Sequence, residues 1–317
     1  MLNLINIIPL LLFTKMRVVS WFVGQDFNNN FLPENISWDI YTHITSGNPY
    51  VDSNGFAYCN LTNQPITKKL LELGKKNNVI IQWHLGIDYP LTNKTNYLKN
   101  YLSSIKLACE ECGIGGIEVD YEFGTSFLEK LGIVTHKDSN RYSNFLSKIK
   151  KSVGKNILVS ADIDAWTLSL NDYFLGVFPW INAKTLNTDI DFVNTMSYHW
   201  NKYGSIINWK ENIFALKYFY KYNLSKVNLG IGYFSKYRIN KRLSEPTWMF
   251  LSKQCPNINP SLNVCNNINF VGKEMNQKIG ELAVKEGLGG VFPWAANYDS
   301  VEFNNSLIHW LNKGLHI

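Results

Sequence analysis

The sequence predicts an α/β fold, a single-domain (β/α)8 TIM barrel, and three observations support this prediction. Eight short runs rich in β-branched and aromatic residues alternate with segments of helical periodicity. One of these runs, 116–122, has carboxylates on one face and apolar residues on the other. No linker, low-complexity tract or internal repeat divides the chain. Eight strands separated mostly by helices is the count of a (β/α)8 barrel, whose functional residues lie at the C-terminal ends of the strands.

The predicted elements are distributed along the whole chain. The strands are 17–23, 40–46, 79–84, 116–122, 157–163, 191–198, 227–233 and 289–294. The helices are 66–76, 97–112, 139–153, 213–222 and 273–286. The longest irregular stretch, 234–269, lies between the seventh and eighth strands. A loop of that length in a compact domain is usually functional, so we place it over the barrel mouth.

The fourth strand carries the clearest functional signal. Side chains on a strand alternate between faces, so Glu118, Asp120 and Glu122 project to one side. The opposite face is apolar and is flanked by predicted helices, as in a central parallel strand. The alternative is an edge strand with a solvated acidic face. Because like charges resist ionising together, acids lined up inside a barrel indicate a catalytic acid with its tuning groups.

Composition limits the classes of partner. The 317 residues are 45% apolar and 18% charged, which describes a globular protein. The net charge is +6, but the lysines are scattered where helices are predicted to end, so we expect no nucleic-acid partner. Ten Trp residues are a hint of sugar binding, because sugar rings stack on aromatic faces and core packing uses the same residues.

The N-terminal apolar run, 2–13, is too short to span a bilayer, so we expect no membrane partner. It is similar in length to the core of a secretory signal, but it lacks a basic flank and a small-residue cleavage site. We take 1–16 as a candidate signal peptide and 17–317 as the barrel. Five glycosylation sequons are consistent with a secreted glycoprotein, and they begin at Asn35, Asn60, Asn93, Asn223 and Asn304.

The five cysteines leave at least one unpaired within the chain. Cys255 and Cys265 flank a loop rich in Pro and Asn, and we predict a local disulfide there. Cys109 and Cys112 have metal-ligand spacing on a helical segment, but no second pair or His cluster accompanies them. We therefore interpret them as structural and expect no metal and no cofactor.

At the level of motifs the chain resembles glycoside hydrolase family 18, the chitinases and chitinase-like proteins. The fourth strand is similar to the family signature DxxDxDxE, with its acid positions at Gly115, Glu118, Asp120 and Glu122. Other similar segments, in the family's order, are 17–22, 42–45, 52–55, 192–198, 229–233, 289–294 and 298–299. The resemblance covers about 17–311, nearly the whole chain.

The chain departs from the family pattern at several positions. Gly115 replaces the first acid, and Glu118 replaces an Asp. The third strand has the sequence QWHLG at 82–86, where the family has SxGG. His199 stands where the family usually has Asp. The matching residues are Glu122, Asp120, Tyr198 and Trp294. Their retention favours a divergent enzyme over an inactive homologue.

The resemblance implies a substrate-assisted mechanism. Glu122 is the expected general acid, and Asp120 holds the substrate acetamide that attacks the anomeric carbon. Glu118 shares a proton with Asp120, which helps to keep Glu122 protonated. The Tyr198 hydroxyl steadies the acetamide carbonyl, and Trp294 stacks under the reacting sugar. The other residues that the resemblance places around the substrate are Trp21, Met196 and His199.

Three functions follow as expectations. The favoured one is hydrolysis of β-1,4-linked N-acetylglucosamine polymers, most simply chitin, by a monomeric protein. The alternatives are a non-catalytic chitin- or glycan-binding protein and an endo-β-N-acetylglucosaminidase that acts on N-glycans. His43 and His84 are interpreted as satisfied histidines of the barrel interior. Asp162 and Asp164 alternate on the fifth strand and are candidates to line the groove.

Overall fold

The computed structural model describes residues 16–24, 31–86, 95–121, 136–164, 179–198, 205–235, 237–239, 242–244 and 246–316. Eight parallel strands close a barrel, each paired with its neighbours along the chain and the first paired with the last. They are β1 Arg17–Trp21, β2 His43–Thr45, β3 Ile80–Gly86, β4 Gly116–Asp120, β5 Leu158–Asp164, β6 Phe192–Met196, β7 Val227–Gly232 and β8 Gly290–Trp294. The predicted (β/α)8 fold is confirmed.

Helices separate most of the strands. They are α1 Pro65–Asn77, α2 Thr95–Cys112, α3 His136–Val153, α4 Ile207–Phe214, α5 Trp248–Gln254, α6 Lys273–Lys285 and α7 Leu307–Leu315. The fourth helix begins six residues before the predicted 213 and runs into a π-helical segment, Ala215–Phe219. The fifth and seventh were not predicted, because both are short and lie in stretches without a long apolar period.

The outer faces of the strands form the core with the helices. On β4, Ile117 and Val119 are buried, as is Tyr121 just beyond the strand. The Tyr121 ring packs against Tyr142 of α3, with ring centroids 5.4 Å apart. Because the apolar face of β4 is thus used by the helix layer, its acidic face must point into the barrel. The edge-strand alternative is excluded.

The bottom of the barrel interior, at the N-terminal ends of the strands, contains a charged side chain. The Arg17 guanidinium donates from Nε to Asn228 Oδ1 at 3.0 Å and lies 4.9 Å from the centroid of the Phe192 ring. A Cβ at Gly290 would stand 2.2 Å from the Arg17 carbonyl oxygen and 2.6 Å from Asn228 Oδ1. Glycine at this position therefore allows the polar groups to approach.

The segment 234–269 is more regular than the sequence indicates. It contains a hairpin of Tyr237–Ile239 with Arg242–Ser244, helix α5, and a second hairpin of Val264–Cys265 with Ile268–Asn269. The Trp248 side chain is buried, and its indole N–H donates to the Asn305 carbonyl at 2.6 Å. The expectation of an irregular loop is therefore wrong. The helix α5 is held in place by Trp248, which anchors it to the body of the barrel.

Two disulfides are present. Cys255–Cys265 is the predicted local bridge, and Cys59–Cys112 joins the end of α2 to the segment after β2. Cys109 is free and buried, and burial raises the pKa of its thiol to about 12. The interpretation of Cys109 and Cys112 as structural is confirmed, since one is bridged and the other is an inert buried thiol.

The surface supplies two further observations. In the described ranges, no helix is both long enough and apolar enough to cross a membrane. Of the five sequon asparagines, Asn93 lies outside the described residues, and the others are exposed, namely Asn35, Asn60, Asn223 and Asn304.

Candidate active site

The candidate site lies at the C-terminal ends of the barrel strands. Asp120 ends β4, Trp21 ends β1, Met196 ends β6 and Trp294 ends β8. Parallel strands present these ends at one rim of the barrel, so four of the predicted site residues meet at its mouth. Two others, Glu122 and His199, lie outside the described residues, and their positions stay predictions.

Glu118 lies directly below this rim, on the same face as Asp120 and two residues earlier. It has no exposed surface. The indole N–H of Trp21 donates to its Oε1, and the hydroxyl of Thr45 donates to its Oε2 at 2.6 Å. Burial raises the pKa of Glu118, while its hydrogen bonds oppose the rise by stabilising the anion. These contacts confirm that Glu118 faces the barrel interior.

A second buried carboxyl group accompanies Glu118. Asp162 of β5 is 1% exposed and hydrogen-bonds with Glu118 and with Asn194, whose Nδ2 is 3.0 Å from Asp162 Oδ1. Burial, then the charges of Glu118 and Asp120, raise the pKa of Asp162 well above its usual value. The prediction that Asp162 lines the groove is wrong, because it faces the closed interior. The side chain of Asp164 is not among those described.

Asp120 connects this buried pair to the mouth. In the strand register it lies beside Gly86 of β3 on one side and Asp162 of β5 on the other. Its charge acts on Asp162, as does that of Glu118. The predicted proton sharing between Asp120 and Glu118 stays a prediction, whereas the hydrogen bond between Glu118 and Asp162 is a new feature that the sequence did not indicate.

Aromatic rings form a continuous band around the mouth. The Trp21 ring lies 4.4 Å from His84 and 4.7 Å from Trp294, measured between centroids. Trp294 stacks with Tyr198 at 6.4 Å, and Tyr198 meets Phe234 edge-on at 5.6 Å. Sequence reasoning named Trp21, Trp294 and Tyr198. It missed Phe234, although an aromatic residue two positions after β7 was a usable signal.

The band depends on small and flexible neighbours. A Cβ at Gly232, the last residue of β7, would lie 2.9 Å from Tyr198 Cβ and 3.2 Å from the Phe234 ring. Glycine at the strand end therefore makes room for both rings. Met196 is buried at the end of β6, two residues before Tyr198, where its flexible side chain fills space under the rim.

The two interior histidines differ. Nδ1 of His43 lies 2.7 Å from the Thr42 hydroxyl, so this histidine is satisfied as expected. Nε2 of His84 is buried and has no hydrogen-bond partner in the described part of the chain, so the expectation is wrong for His84. Burial lowers the pKa of each to about 4, helped at His43 by the charge of Arg17, which keeps both rings neutral at pH 7.

The arrangement combines proton chemistry with a stacking surface. Carboxyl groups rise along β4 to the mouth, and the aromatic band lies beside them. A flat, polar ligand with apolar faces, such as a sugar ring, matches this pairing of ring faces and acids. Within the described residues, no group of three or more His, Cys, Asp or Glu side chains is placed to hold a metal ion.

Comparisons with solved structures identify the architecture. A chitinase from Bacteroides thetaiotaomicron is similar with a TM-score of 0.76 and 16% identity, over 95% of this chain and 96% of that one. The GH18 chitinase ChiB of Flavobacterium johnsoniae has a TM-score of 0.73 and 18% identity, over 95% and 94%. YKL-39, solved in the presence of chitooligosaccharides, has a TM-score of 0.67 and 13% identity, over 95% and 100%.

Sequence comparison alone finds less. No family model matches the chain, and no curated protein matches it. At 11–18% identity the solved structures establish the fold and nothing finer. The resemblance drawn from the motifs is confirmed at that level: the chain has the fold of the chitinases of glycoside hydrolase family 18.

Proposed function

We propose that this protein is a chitinase-type glycoside hydrolase that cleaves β-1,4-linked N-acetylglucosamine polymers with retention of configuration. One observation carries the proposal, namely the acidic strand β4 that ends beside an aromatic band at the barrel mouth. A chain of sugar rings needs stacking surfaces for binding and a carboxylic acid for cleavage, and this mouth presents ring faces next to acids.

The residues divide the chemistry as follows. Glu122 protonates the glycosidic oxygen and then activates water. Asp120 holds the acetamide of the substrate, whose oxygen attacks the anomeric carbon in place of an enzyme nucleophile. Tyr198 lies in the aromatic band next to Trp294, where its hydroxyl donates to the acetamide carbonyl. Trp294 stacks under the sugar whose bond is cleaved.

The interior of the barrel supports these roles electrostatically. Glu118 is desolvated and surrounded by donors, and it lies on the face that ends at Asp120. Negative charge below the rim disfavours further ionisation above it, which helps a catalytic acid to keep its proton near neutral pH. Buried titratable groups below a mouth with a stacking surface are typical of an acid–base catalyst.

A glycan-binding protein without hydrolytic activity is the second candidate. The aromatic band favours it as much as it favours the enzyme, since stacking requires no acid. Among the similar structures, YKL-39 was solved in the presence of chitooligosaccharides. The chain departs from the family pattern at Gly115, Glu118 and His199, and a loss of turnover would be expected to accompany such substitutions.

One assay separates the two candidates. Purified wild-type protein should release the fluorophore from a fluorogenic chito-oligosaccharide, and Glu122→Gln should lose roughly 100- to 10,000-fold in turnover. The change retains volume and hydrogen-bonding atoms, so the variant should still bind the oligosaccharide. Binding without turnover by both proteins would support the non-catalytic candidate. A variant that keeps most of the wild-type rate would refute the assignment of Glu122.

Secretion is part of the proposal. The two disulfides require an oxidising compartment to form and persist, and exposed sequon asparagines are accessible acceptors. Expression in a secreting host, followed by mass mapping of peptides with and without glycosidase treatment, tests it. Free thiols at all four bridged positions in the secreted material would contradict this part of the proposal.

A further inference from the structure

The buried carboxyl pair of Glu118 and Asp162 belongs to a hydrogen-bonded chain that runs down the barrel interior. From Asp162 Oδ1 the chain passes to Nδ2 of Asn194 at 3.0 Å, and Oδ1 of Asn194 accepts from Nδ2 of Asn228 at 2.8 Å. Oδ1 of Asn228 accepts from Nε of Arg17 at 3.0 Å. Asp162, Asn194 and Asn228 occupy adjacent positions in the strand register.

The direction of every link in this chain is fixed by Arg17. A guanidinium has donors only, so Asn228 must present its oxygen to Arg17 and its amide N–H to Asn194. Asn194 must then present its own N–H to Asp162. The carboxyl oxygen Oδ1 of Asp162 is therefore an obligatory acceptor, and only its other oxygen can carry a proton.

Glu118 accepts hydrogen bonds from more neighbouring donors than Asp162 does. Its Oε1 accepts from Trp21, whose indole N–H can only donate, and its Oε2 accepts from the Thr45 hydroxyl at 2.6 Å. The hydrogen bond between the two carboxyl groups requires one proton, since two carboxylates have only acceptors. The carboxyl group that accepts from more donors holds the charge, so Glu118 is the anion and Asp162 the donor.

We propose that Asp162 is a positioning residue, protonated in the resting protein, which donates its proton to Glu118 and fixes Glu118 as an anion below Asp120. The catalytic role of this anion rests on the proposed function. A fixed negative charge below Asp120 disfavours ionisation of Asp120, so a proton held by Asp120 is available toward the mouth and the substrate. Among the described residues, the ionisable groups around Asp162 are Glu118 and Asp120 of β4 and Tyr142 of α3, whose hydroxyl lies 3.5 Å from the Asp162 carbonyl oxygen.

The hydrogen-bonded chain ends at Arg17, which lies at the bottom of the barrel and is separated from Asp162 by three hydrogen bonds. It adds a positive end to the chain without reaching the pair directly. Because the donors from Arg17 to Asn194 all point toward Asp162, they polarise one another, and the pair can hold one negative charge in the barrel interior. A second negative charge on Asp162 would have only the Asn194 N–H among the donors described above, against the Trp21 and Thr45 donors of Glu118, and it would lie beside the Glu118 anion. One proton therefore stays with the pair at neutral pH.

The test measures the protonation state directly and needs no enzymatic activity. Protein labelled with ¹³C at the aspartate side-chain carboxyl should show a protonated carboxyl signal at neutral pH that Asp162→Asn removes. Asp189→Asn is the control, because Asp189 is a partly exposed carboxylate whose pKa is lowered by hydrogen bonds from Ser147 and Thr188. Its substitution should leave the protonated signal in place.

The outcomes decide between the assignments. A protonated signal in glutamate-labelled protein, or an aspartate signal unaffected by Asp162→Asn, would overturn the proposal. Turnover then tests the positioning role: Asp162→Leu removes the donor that Asp162→Asn retains, so it should lower turnover by roughly tenfold or more relative to Asp162→Asn. Equal turnover of the two folded variants would refute that role, while absence of turnover in the wild type would refute only the proposed function.

Discussion

Thr45→Val should destabilise the protein in a pH-dependent way. Thr45 is buried at the end of β2, and its hydroxyl donates to Glu118 Oε2 at 2.6 Å. Valine has nearly the same shape, so the change removes the hydroxyl and leaves the packing in place. A hydrogen bond to a charged group contributes about 1.5–3 kcal/mol, and we expect a loss of that size in the free energy of unfolding at pH 7.5.

The sign of the pH dependence follows from linkage. Burial raises the pKa of Glu118 above its unfolded value, so the folded state binds this proton more tightly and stability falls as pH rises. Without the Thr45 donor the pKa of Glu118 rises further. The difference between variant and wild type should therefore be greatest at neutral pH and should shrink as Glu118 becomes protonated in both proteins at low pH.

Urea unfolding at several pH values measures this difference. Thr67→Val is the matched control, because Thr67 is equally buried and its hydroxyl lies 3.3 Å from the neutral hydroxyl of Ser46. The control should lose about 1 kcal/mol or less, with no dependence on pH. If Thr45→Val lost the same amount of stability at every pH, Glu118 would not be the anion that we infer.

Further predictions concern the disulfides and the pH profile. The chain-entropy estimate gives about 4 kcal/mol for the 53-residue separation of Cys59–Cys112 and about 3 kcal/mol for the 10-residue separation of Cys255–Cys265. Replacing the first pair by Ser should therefore lower the urea midpoint more than replacing the second, and the reverse order would refute the estimate. His199→Asp should raise the upper apparent pKa of the rate profile and extend activity toward neutral pH, because it removes a group that can become a cation near the acids. Overlapping alkaline limbs for the two proteins would leave His199 as a packing residue.

The barrel could be predicted because each strand carries its own signal. Alternation along β4 places Glu118 and Asp120 together on the inner face from sequence alone. The loop signals were weaker: the helix of Trp248–Gln254 has two turns, and it depends on the burial of Trp248 against Asn305, a contact distant in sequence. Such an anchor leaves no periodic pattern.

The partner of Glu118 could not be predicted, because it depends on the register between strands. Asp162 meets the acids of β4 only because Asp120 pairs with it across β4 and β5. A shift of one residue would turn Asp162 toward the helices. The Cys59–Cys112 bridge was missed for a similar reason, since its partners are 53 residues apart and five cysteines allow several pairings.

The most direct test of the central claim is the configuration of the first product released from a chito-oligosaccharide, followed by ¹H NMR in real time. A retaining, substrate-assisted glycosidase must release the β-anomer first, with the α-anomer appearing only as the product mutarotates. We predict this order for the wild-type protein and no product for Glu122→Gln. Initial release of the α-anomer, or an intact oligosaccharide after prolonged incubation with the folded protein, would contradict the account.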